Sequence, residues 1–300
     1  MQTNATVDLN RFKNAVGFTA TFKVWGNTRK ANMANVTTEA DKRRLKLSKQ
    51  LIEADEYDRI KSYMSELRQW IYGRTVPSFF KDGFQLCSLT AVETIESRMK
   101  KAIREDLPPL VAALQLAYPN KVEEAKAALA DQFKATDYPS EDDLARAFGI
   151  TWNWIAFTTP EALPPELRQA EEDKLKKQFA DAGEQILEAL RTSFQELLSH
   201  ALDRLQPGED GKAKVFRDSL IGNIQEFLDT FSSRNLMNDT ELAALVDKAK
   251  TVLTGNAGDP NKIRKLGSVR EEAAAKFAEI KTALDGMIET RKARQFDLED

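Results

Sequence analysis

Three stretches of the chain alternate between apolar and polar side chains, which is the period of a half-buried β-strand. The first runs from Gly17 to Trp25, the second is GFQLCSL at 83–89, and the third is ITWNWIAF at 150–157. Three strands with an apolar face are the usual minimum for a stable sheet. The pattern therefore predicts that these distant segments pair in one small antiparallel or mixed sheet.

Apolar residues at helical spacing fill most of the remaining first half. A long helix is predicted from Thr38, a suitable N-cap, to about Tyr72, with Gly73 past its end. Its apolar stripe consists of Ile60, Met64, Leu67 and Ile71. Further helices are predicted from a capping box at Thr90–Glu93 to about Asp106, over 109–118 and 120–134, and from a cap at Ser140 to Gly149.

The second half is predicted to be helical. One helix runs from Pro164 and Pro165 to about Leu205, a return helix carries Phe216, Leu220, Ile224, Phe227 and Phe231, and another covers about 240–253. GNAGDPNK is predicted to be a loop, and a capping box at Ser268–Glu271 opens the last helix.

These elements predict an α+β fold that is predominantly α. Residues 1–165 would form an α/β head with a three-stranded sheet and a long helix. Residues 166–300 would form a bundle or stalk of long antiparallel helices, so an elongated molecule is expected.

Composition indicates the cellular compartment of the protein but does not identify a function. No run of eighteen apolar residues occurs, and the N-terminus lacks the apolar core of a secretory signal, so neither a membrane span nor a leader is predicted. The single cysteine, Cys87, excludes an intramolecular disulfide and is expected to be a small buried side chain. A cytoplasmic protein is expected.

Charge is unevenly distributed along the chain. Residues 1–106 hold 19 Lys and Arg against 13 Asp and Glu, whereas the remainder holds 25 against 34. A basic first third would suit nucleic acid or an acidic partner. Much of the excess is KRRLKLSK at 42–49 on the predicted long helix, so a solvated helix face is the favoured interpretation.

The chain lacks the familiar signatures of catalysis. One histidine, His200, and one distant cysteine exclude the usual zinc sites and disfavour a Cys–His nucleophile pair. GEDGK at 208–212 lacks the spacing of a phosphate-binding loop, and neither GxGxxG nor GxSxG occurs. No catalytic residue, metal site or cofactor is predicted.

Two groups of residues are candidates for binding. Trp25, Arg29 and Lys30 place an aromatic ring and two cations at the end of the first strand, whereas the alternative is that Trp25 covers the sheet edge and the cations are solvated. Trp152 and Trp154 share one face of the third strand, and core packing is the favoured interpretation there.

Several motifs resemble an uncharacterised family of bacterial and phage proteins. They are WGNTRK, LSKQLI, RTVPSFFKDGFQLCSLTAVETIE and FGITWNWIAFTTP, within residues 16–165. The chain departs from the family's Trp-x-Gly-Arg-Lys pattern, because Gly26 directly follows Trp25. The resemblance implies a neighbourhood of MoxR-like AAA+ ATPases and von Willebrand A proteins, and hence an adaptor or partner of such an ATPase in a bacterial cytosol or a phage-infected cell. It implies no catalytic residues.

Three hypotheses therefore remain at the level of sequence. The preferred one is a non-enzymatic binding or assembly protein with a protein partner or self-association and no membrane. The alternative is a nucleic-acid-associated phage protein that uses the basic first third. The third is an enzyme that works through carboxylates on its helices.

Overall fold

A computed structural model describes residues 15–32, 39–41, 44–78, 83–156, 164–207 and 214–296. The chain packs into two compact units. Unit 1 comprises the described residues of Met1–Phe18, Tyr72–Val92 and Trp154–Asp300, and unit 2 those of Thr19–Ile71 and Glu93–Asn153. The fold is predominantly helical with a small antiparallel sheet, so the predicted α+β class is confirmed. The predicted division into a head at 1–165 and a helical bundle at 166–300 stays a prediction.

The three predicted strands join one sheet, as expected. They are β1 (Ala15–Lys23), β5 (Gln85–Ser88) and β6 (Gly149–Ile155), in the order β4-β5-β1-β6. β1 and β5 are antiparallel, with Ala15 opposite Ser88 and Phe18 opposite Gln85. Phe157, the predicted end of the third strand, lies outside the described residues.

The fourth strand, β4 (Val76–Pro77), pairs antiparallel with β5 and was not predicted. Pro77 cannot donate a backbone hydrogen bond to a neighbouring strand. The Ser78 N–H donates to Phe84 O at 3.0 Å, so the intervening Pro77 faces away from β5. At the edge of a sheet, the missing N–H of proline costs little.

The long helix predicted from Thr38 to Tyr72 is wrong in its first half. Helix α1 is Asp55–Tyr72, with its predicted stripe buried, and Thr38 lies outside the described residues. Instead, β2 (Thr28–Lys30) pairs antiparallel with β3 (Ser48–Gln50). The basic run is therefore not a helix face where it is described. The segment forms a strand instead of a helix because pairing with β2 provides hydrogen-bond partners for its backbone groups, which a helix would otherwise provide within itself.

Asn27 makes several hydrogen bonds to the chain directly after β3. Its Nδ2 donates to Ile52 O at 2.7 Å, and its Oδ1 accepts from the Ile52 N–H at 2.9 Å. The Leu51 N–H also donates to Asn27 O at 3.0 Å. This side chain thus acts as one more step of the β2–β3 ladder.

Helix α2 (Leu89–Lys101) begins one residue before the predicted capping box. The Ser88 hydroxyl accepts from the Thr90 N–H at 3.2 Å, so Ser88 and not Thr90 serves as the cap. A π-helical segment, Ala102–Asp106, joins α2 to α3 (Leu107–Leu129). Pro108 and Pro109 provide no N–H to the preceding carbonyls, and the Leu107 N–H donates to Ala102 O instead.

The two helices predicted over 109–118 and 120–134 are one helix, α3, with Pro119 inside it. The cap predicted at Ser140 is confirmed, because its hydroxyl accepts from the Asp143 N–H at 3.2 Å at the start of α4 (Glu141–Arg146).

Unit 1 contains the long helices of the second half. They are α5 (Pro165–Leu205), α6 (Asp218–Arg234), α7 (Thr240–Thr254), α8 (Pro260–Lys265) and α9 (Gly267–Phe296). The predicted stripe of the return helix is buried, and Phe194 stacks on Phe227 with ring centroids 4.9 Å apart. No helix in the described part of the chain has the length and apolar character needed to cross a membrane.

Two local predictions in this half are wrong. The predicted loop GNAGDPNK contains a 3₁₀ turn and the start of α8, because the Asp259 side chain accepts from the Asn261 N–H at 2.9 Å and Pro260 occupies the first turn. α9 starts at Gly267, so Ser268 lies inside the helix and not at its cap. The segment GEDGK lies outside the described residues.

Candidate binding groove along helix α5

Helix α5 has two different faces within unit 1. One face is buried in the core and includes Phe194 and Leu198. A neighbouring face is open and includes Ala189, Ser193 and His200, at the spacing of successive turns. The open face forms one wall of a groove, which we call the α5 groove.

The α5 groove consists of two cavities of about 490 Å³ each. Ser193 and Arg234 line both cavities, so the two meet at these residues. This size falls within the range of about 300–1,000 Å³ typical of ligand pockets. The groove is therefore large enough to hold a ligand.

The two cavities differ in chemistry. The first lies between α5 and α6 and carries Glu196, His200 and Glu226. The second has no acidic residue in its lining and includes Val76 and Pro77 of β4 and Ile186 and Leu190 of α5. A ligand that spans both would thus meet acidic side chains at one end only.

Arg234, the last residue of α6, occupies the junction. Its guanidinium stacks over the Phe227 ring at 4.9 Å, and its Nη2 donates to Thr230 Oγ1 at 3.0 Å. Its Nε is buried and has no hydrogen-bond partner among the described residues. The helix C-terminus favours a cation at this position.

The electrostatic environment leaves Arg234 short of negative charge. Burial lowers the pKa of Arg234, the Glu226 carboxylate opposes this shift, and the like charge of Arg74 adds to it. Burial also lowers the pKa of Arg74, against the pull of Glu226 and Asp229. Because a desolvated cation is costly unless paired, an anionic group of a ligand would be favoured here.

The first predicted binding group lies in unit 2. Trp25 is 6% exposed, and its ring meets the edges of Tyr57 and Tyr118, each with centroids 6.0 Å apart. Arg29 Nη1 donates to Gly26 O at 2.7 Å and to Thr28 O at 2.9 Å, whereas Lys30 is exposed on β2. The Trp25 side chain thus packs in the core, and a binding role for the group stays a prediction.

The second predicted group lies on β6. Trp152 is half-buried, and its Nε1 donates to Glu96 Oε2 at 2.7 Å. Trp154 is also half-buried and packs against Phe18 with centroids 4.8 Å apart. Both rings have protein partners, and a binding role for them also stays a prediction.

The basic run contains one cation that is removed from water. The Lys49 ammonium pairs with Asp137 at 2.7 Å and donates to Gln132 O, with 5% of its side chain exposed. Arg44 and Lys46 are exposed. The charge of Lys49 is therefore not available to an external anion.

Cys87 fits its predicted role as a small buried side chain, and burial raises the pKa of its thiol to about 12. A thiol with this pKa is a poor nucleophile at neutral pH. Among the described residues, no cluster of three or more His, Cys, Asp or Glu side chains is arranged to hold a metal ion.

Sequence reasoning missed Arg234 and the α5 groove. The available signal was Thr230, a polar residue between the buried Phe227 and Phe231 on α6. Its hydroxyl accepts a hydrogen bond from Arg234 one turn later. A polar residue within an apolar stripe indicates that its side chain has a hydrogen-bond partner nearby.

Comparison with known proteins does not identify a relative. No family model matches the chain, and neither the curated proteins nor the solved structures contain a match.

Proposed function

We propose that this chain is a binding or assembly protein without catalytic chemistry of its own, and that the α5 groove takes up a segment of a partner protein. The observation that carries the proposal is the half-buried Arg234 side chain at the junction of the two cavities, whose buried Nε has no hydrogen-bond partner among the described residues. A carboxylate of the partner would pair with it, because charge-assisted hydrogen bonds to arginine are among the strongest in proteins.

The length of the groove favours a polypeptide segment over a small molecule. Its α5 wall extends from Ala182 to His200, which corresponds to roughly 27 Å along the helix axis. An extended segment of about eight residues covers this distance. The expected segment places an apolar side chain beside Ile186 and an acidic group at Arg234.

The acidic side chains of the first cavity would set the direction of the segment. Glu196 and Glu226 would repel further negative charge at that end. The bound segment should therefore be neutral or basic beyond its acidic group. This charge pattern distinguishes the proposed ligand from a uniformly acidic peptide.

A peptide-display selection against the intact chain tests the proposal. We expect enriched peptides that combine one acidic residue with a neighbouring apolar residue. Their affinity should fall at least tenfold in Ala189→Glu, because residue 189 is exposed on the groove wall and the new carboxylate repels the acidic group.

Ala170→Glu is the matched control. Ala170 is also an exposed alanine of α5, but it lines neither cavity. Peptide affinity should be unchanged in this variant, and both variants should keep the unfolding midpoint of the original chain. No enrichment, or enriched peptides that bind Ala189→Glu as well as the original chain, would exclude the groove as the docking site.

The AAA+ ATPase suggested by the motif resemblance is proposed as the partner that supplies the segment. A purified MoxR-like ATPase from the same genome should bind the original chain and Ala170→Glu, and should bind Ala189→Glu weakly. The peptide result does not depend on this partner, so the two parts of the proposal can fail separately.

The nucleic-acid alternative stays a prediction from the basic first third. The burial of Lys49 in an ion pair gives it no support. An affinity for duplex or single-stranded DNA that decreases steeply with salt concentration would support the nucleic-acid alternative, because phosphate contacts release counterions.

A further inference from the structure

The α5 groove lies close to the start of β1 within unit 1. Ala15, the first residue of β1, is opposite Ser88 of β5, and Val76 of β4 is opposite Leu86 of the same strand. Neighbouring strands are about 4.8 Å apart and successive residues about 3.4 Å apart, so the Cα atoms of Ala15 and Val76 are roughly 12 Å apart. Val76 lines the groove. The chain that precedes β1 therefore joins the sheet beside the groove.

Asp8 is within reach of Arg234 from this position. Arg234 and Val76 line the same cavity of about 490 Å³, which corresponds to a width of roughly 10 Å. The path from Ala15 to Arg234 is thus roughly 22 Å, and the seven residues from Asp8 to Ala15 span about 23–25 Å when extended. The tether is long enough to bring the Asp8 carboxylate to the Arg234 guanidinium.

The sequence before β1 matches the ligand expected from the groove. Residues 3–14 read TNATVDLNRFKN and contain one acidic residue, Asp8. Val7 and Leu9 flank it, so an apolar side chain adjoins the acidic group in either direction along the groove. The other charged residues of the segment are two cations, which the carboxylates of the first cavity would not repel.

The residues after α9 are a poorer match to the groove. They read DLED at 297–300 and carry three acidic side chains within four residues. Glu196 and Glu226 of the first cavity would repel this density of negative charge. Charge complementarity therefore favours the segment before β1 as the occupant.

We propose that residues 3–14 dock in the α5 groove of the same chain, with the Asp8 carboxylate paired with the Arg234 guanidinium. The buried Nε of Arg234 has no hydrogen-bond partner among the described residues, and a carboxylate at this guanidinium supplies the missing negative charge. The docked segment competes with the segment of a partner protein, so this regulation rests on the function proposed above. Partner binding then requires release of the chain's own segment.

Spin labels at Asn4→Cys and Glu188→Cys of the intact chain measure the docking by double electron–electron resonance. Glu188 is an exposed residue of α5 that lines neither cavity, and the buried thiol of Cys87 reacts poorly with the label. We expect one narrow distance distribution centred below about 30 Å, because a docked Asp8 keeps residue 4 close to the groove wall.

Asp8→Lys should replace the narrow distribution with a broad one, because the new ammonium group repels Arg234. Asp297→Lys is the matched control, since it makes the same change of charge at the other end of the chain and should keep the narrow distribution. A broad distribution in the original chain, a narrow one that Asp8→Lys leaves unchanged, or equal losses in both variants would overturn the docking.

A fluorescent synthetic peptide of residues 3–14 measures the competition. It should bind Asp8→Lys at least tenfold more tightly than the original chain, because a tethered segment competes at an effective concentration of about millimolar order. In the Asp8→Lys background, Ala189→Glu should weaken peptide binding, whereas Ala170→Glu should not. Equal affinity for the original chain and Asp8→Lys would overturn the competition.

The outcomes separate this inference from the proposed function. If selected peptides bind the groove but the labelled chain gives a broad distribution, only the docking of residues 3–14 is wrong. If the distribution is narrow and selection yields no peptide even against Asp8→Lys, the docking stands and the proposed function is wrong.

Discussion

Asp106 is one of the clearest cases of a residue whose properties depend on its neighbours. Tyr63 OH donates to Asp106 Oδ2 at 2.9 Å, and Arg98 Nη1 donates to the same atom at 2.7 Å. Burial by itself would raise the pKa of Asp106, but these hydrogen bonds and the Arg98 charge outweigh it, so the pKa is lowered. The cluster ties α1 to the π-helical segment within unit 2.

Replacement of Asp106 by asparagine should therefore cost stability in a pH-dependent manner. Because the pKa is lower in the folded chain, the contribution of the carboxylate is complete above its unfolded pKa of about 4 and is lost as the pH falls through its folded pKa. The difference in unfolding free energy between the original chain and Asp106→Asn should be about 1–3 kcal/mol at pH 7 and smaller below pH ~3.

Urea unfolding at several pH values measures this difference. Asp181→Asn, which changes an exposed carboxylate of α5, should differ little from the original chain at any pH. A destabilisation by Asp106→Asn that is constant from neutral to acidic pH would show that the ionised form of Asp106 contributes nothing.

At the level of elements, α3 shows tertiary packing overcoming local preference. Pro119 lies inside the helix and removes a hydrogen bond to the carbonyl of Gln115. The helix nevertheless continues, because Leu114, Tyr118 and Ala125 share one buried side across the proline. The sequence-based prediction divided α3 into two helices because it placed a break at the proline and did not consider that the buried side continues across it.

Pro119→Ala should stabilise the chain. Alanine restores the hydrogen bond to Gln115 O and has the best helix propensity, although the unfolded chain gains flexibility. We expect the unfolding free energy to rise by about 1 kcal/mol. Urea unfolding measures this change, and a decrease would indicate that the proline supports a local bend of α3.

At the scale of the whole molecule, each unit has its own packing. The core of unit 1 joins α5, α6, α7 and α9, and Phe194 and Phe277 are fully buried in it. The residues of this core are distant in the chain, so it forms only when the helices pack. Core truncation here should therefore be far more costly than truncation at the surface.

Phe277→Ala should lower the unfolding free energy of unit 1 by about 3–5 kcal/mol, since it removes a buried ring and leaves a cavity. Leu167→Ala, at a residue that is 57% exposed, should change it by less than about 0.5 kcal/mol. The thermal unfolding of the two variants provides the comparison. Similar midpoints would show that Phe277 is not a core residue.

The helices of unit 1 were largely predictable, because their stripes repeat over many turns. α5 was predicted almost to the residue, from a proline start and an apolar stripe that continues to Leu205. The apolar pattern does not decide between neighbouring leucines: Leu198 is fully buried, whereas Leu197 is only partly buried. Adjacent residues of a helix point about 100° apart around its axis, and the position of the partner helix decides which of the two leucines faces the core.

The candidate groove was not predictable from pattern, because its residues come from different elements. Arg234 ends α6, Ser193 lies on α5, and Val76 belongs to a two-residue strand. One side of α3 is exposed over a stretch without charge, from Leu107 to Asn120. Its exposure could be established only once the buried side of the helix was known.

The sequence alone determined that three extended segments exist and where most of the long helices lie, because strand and helix periods are local properties of the chain. Tertiary structure decided the rest. It placed β3 within the first half of the predicted long helix, since β2 offered the backbone groups of β3 partners and Asn27 bonded to the residues after it. It also left the Arg234 side chain half-buried between two cavities, because burial and pairing of a charge depend on every element packed around it.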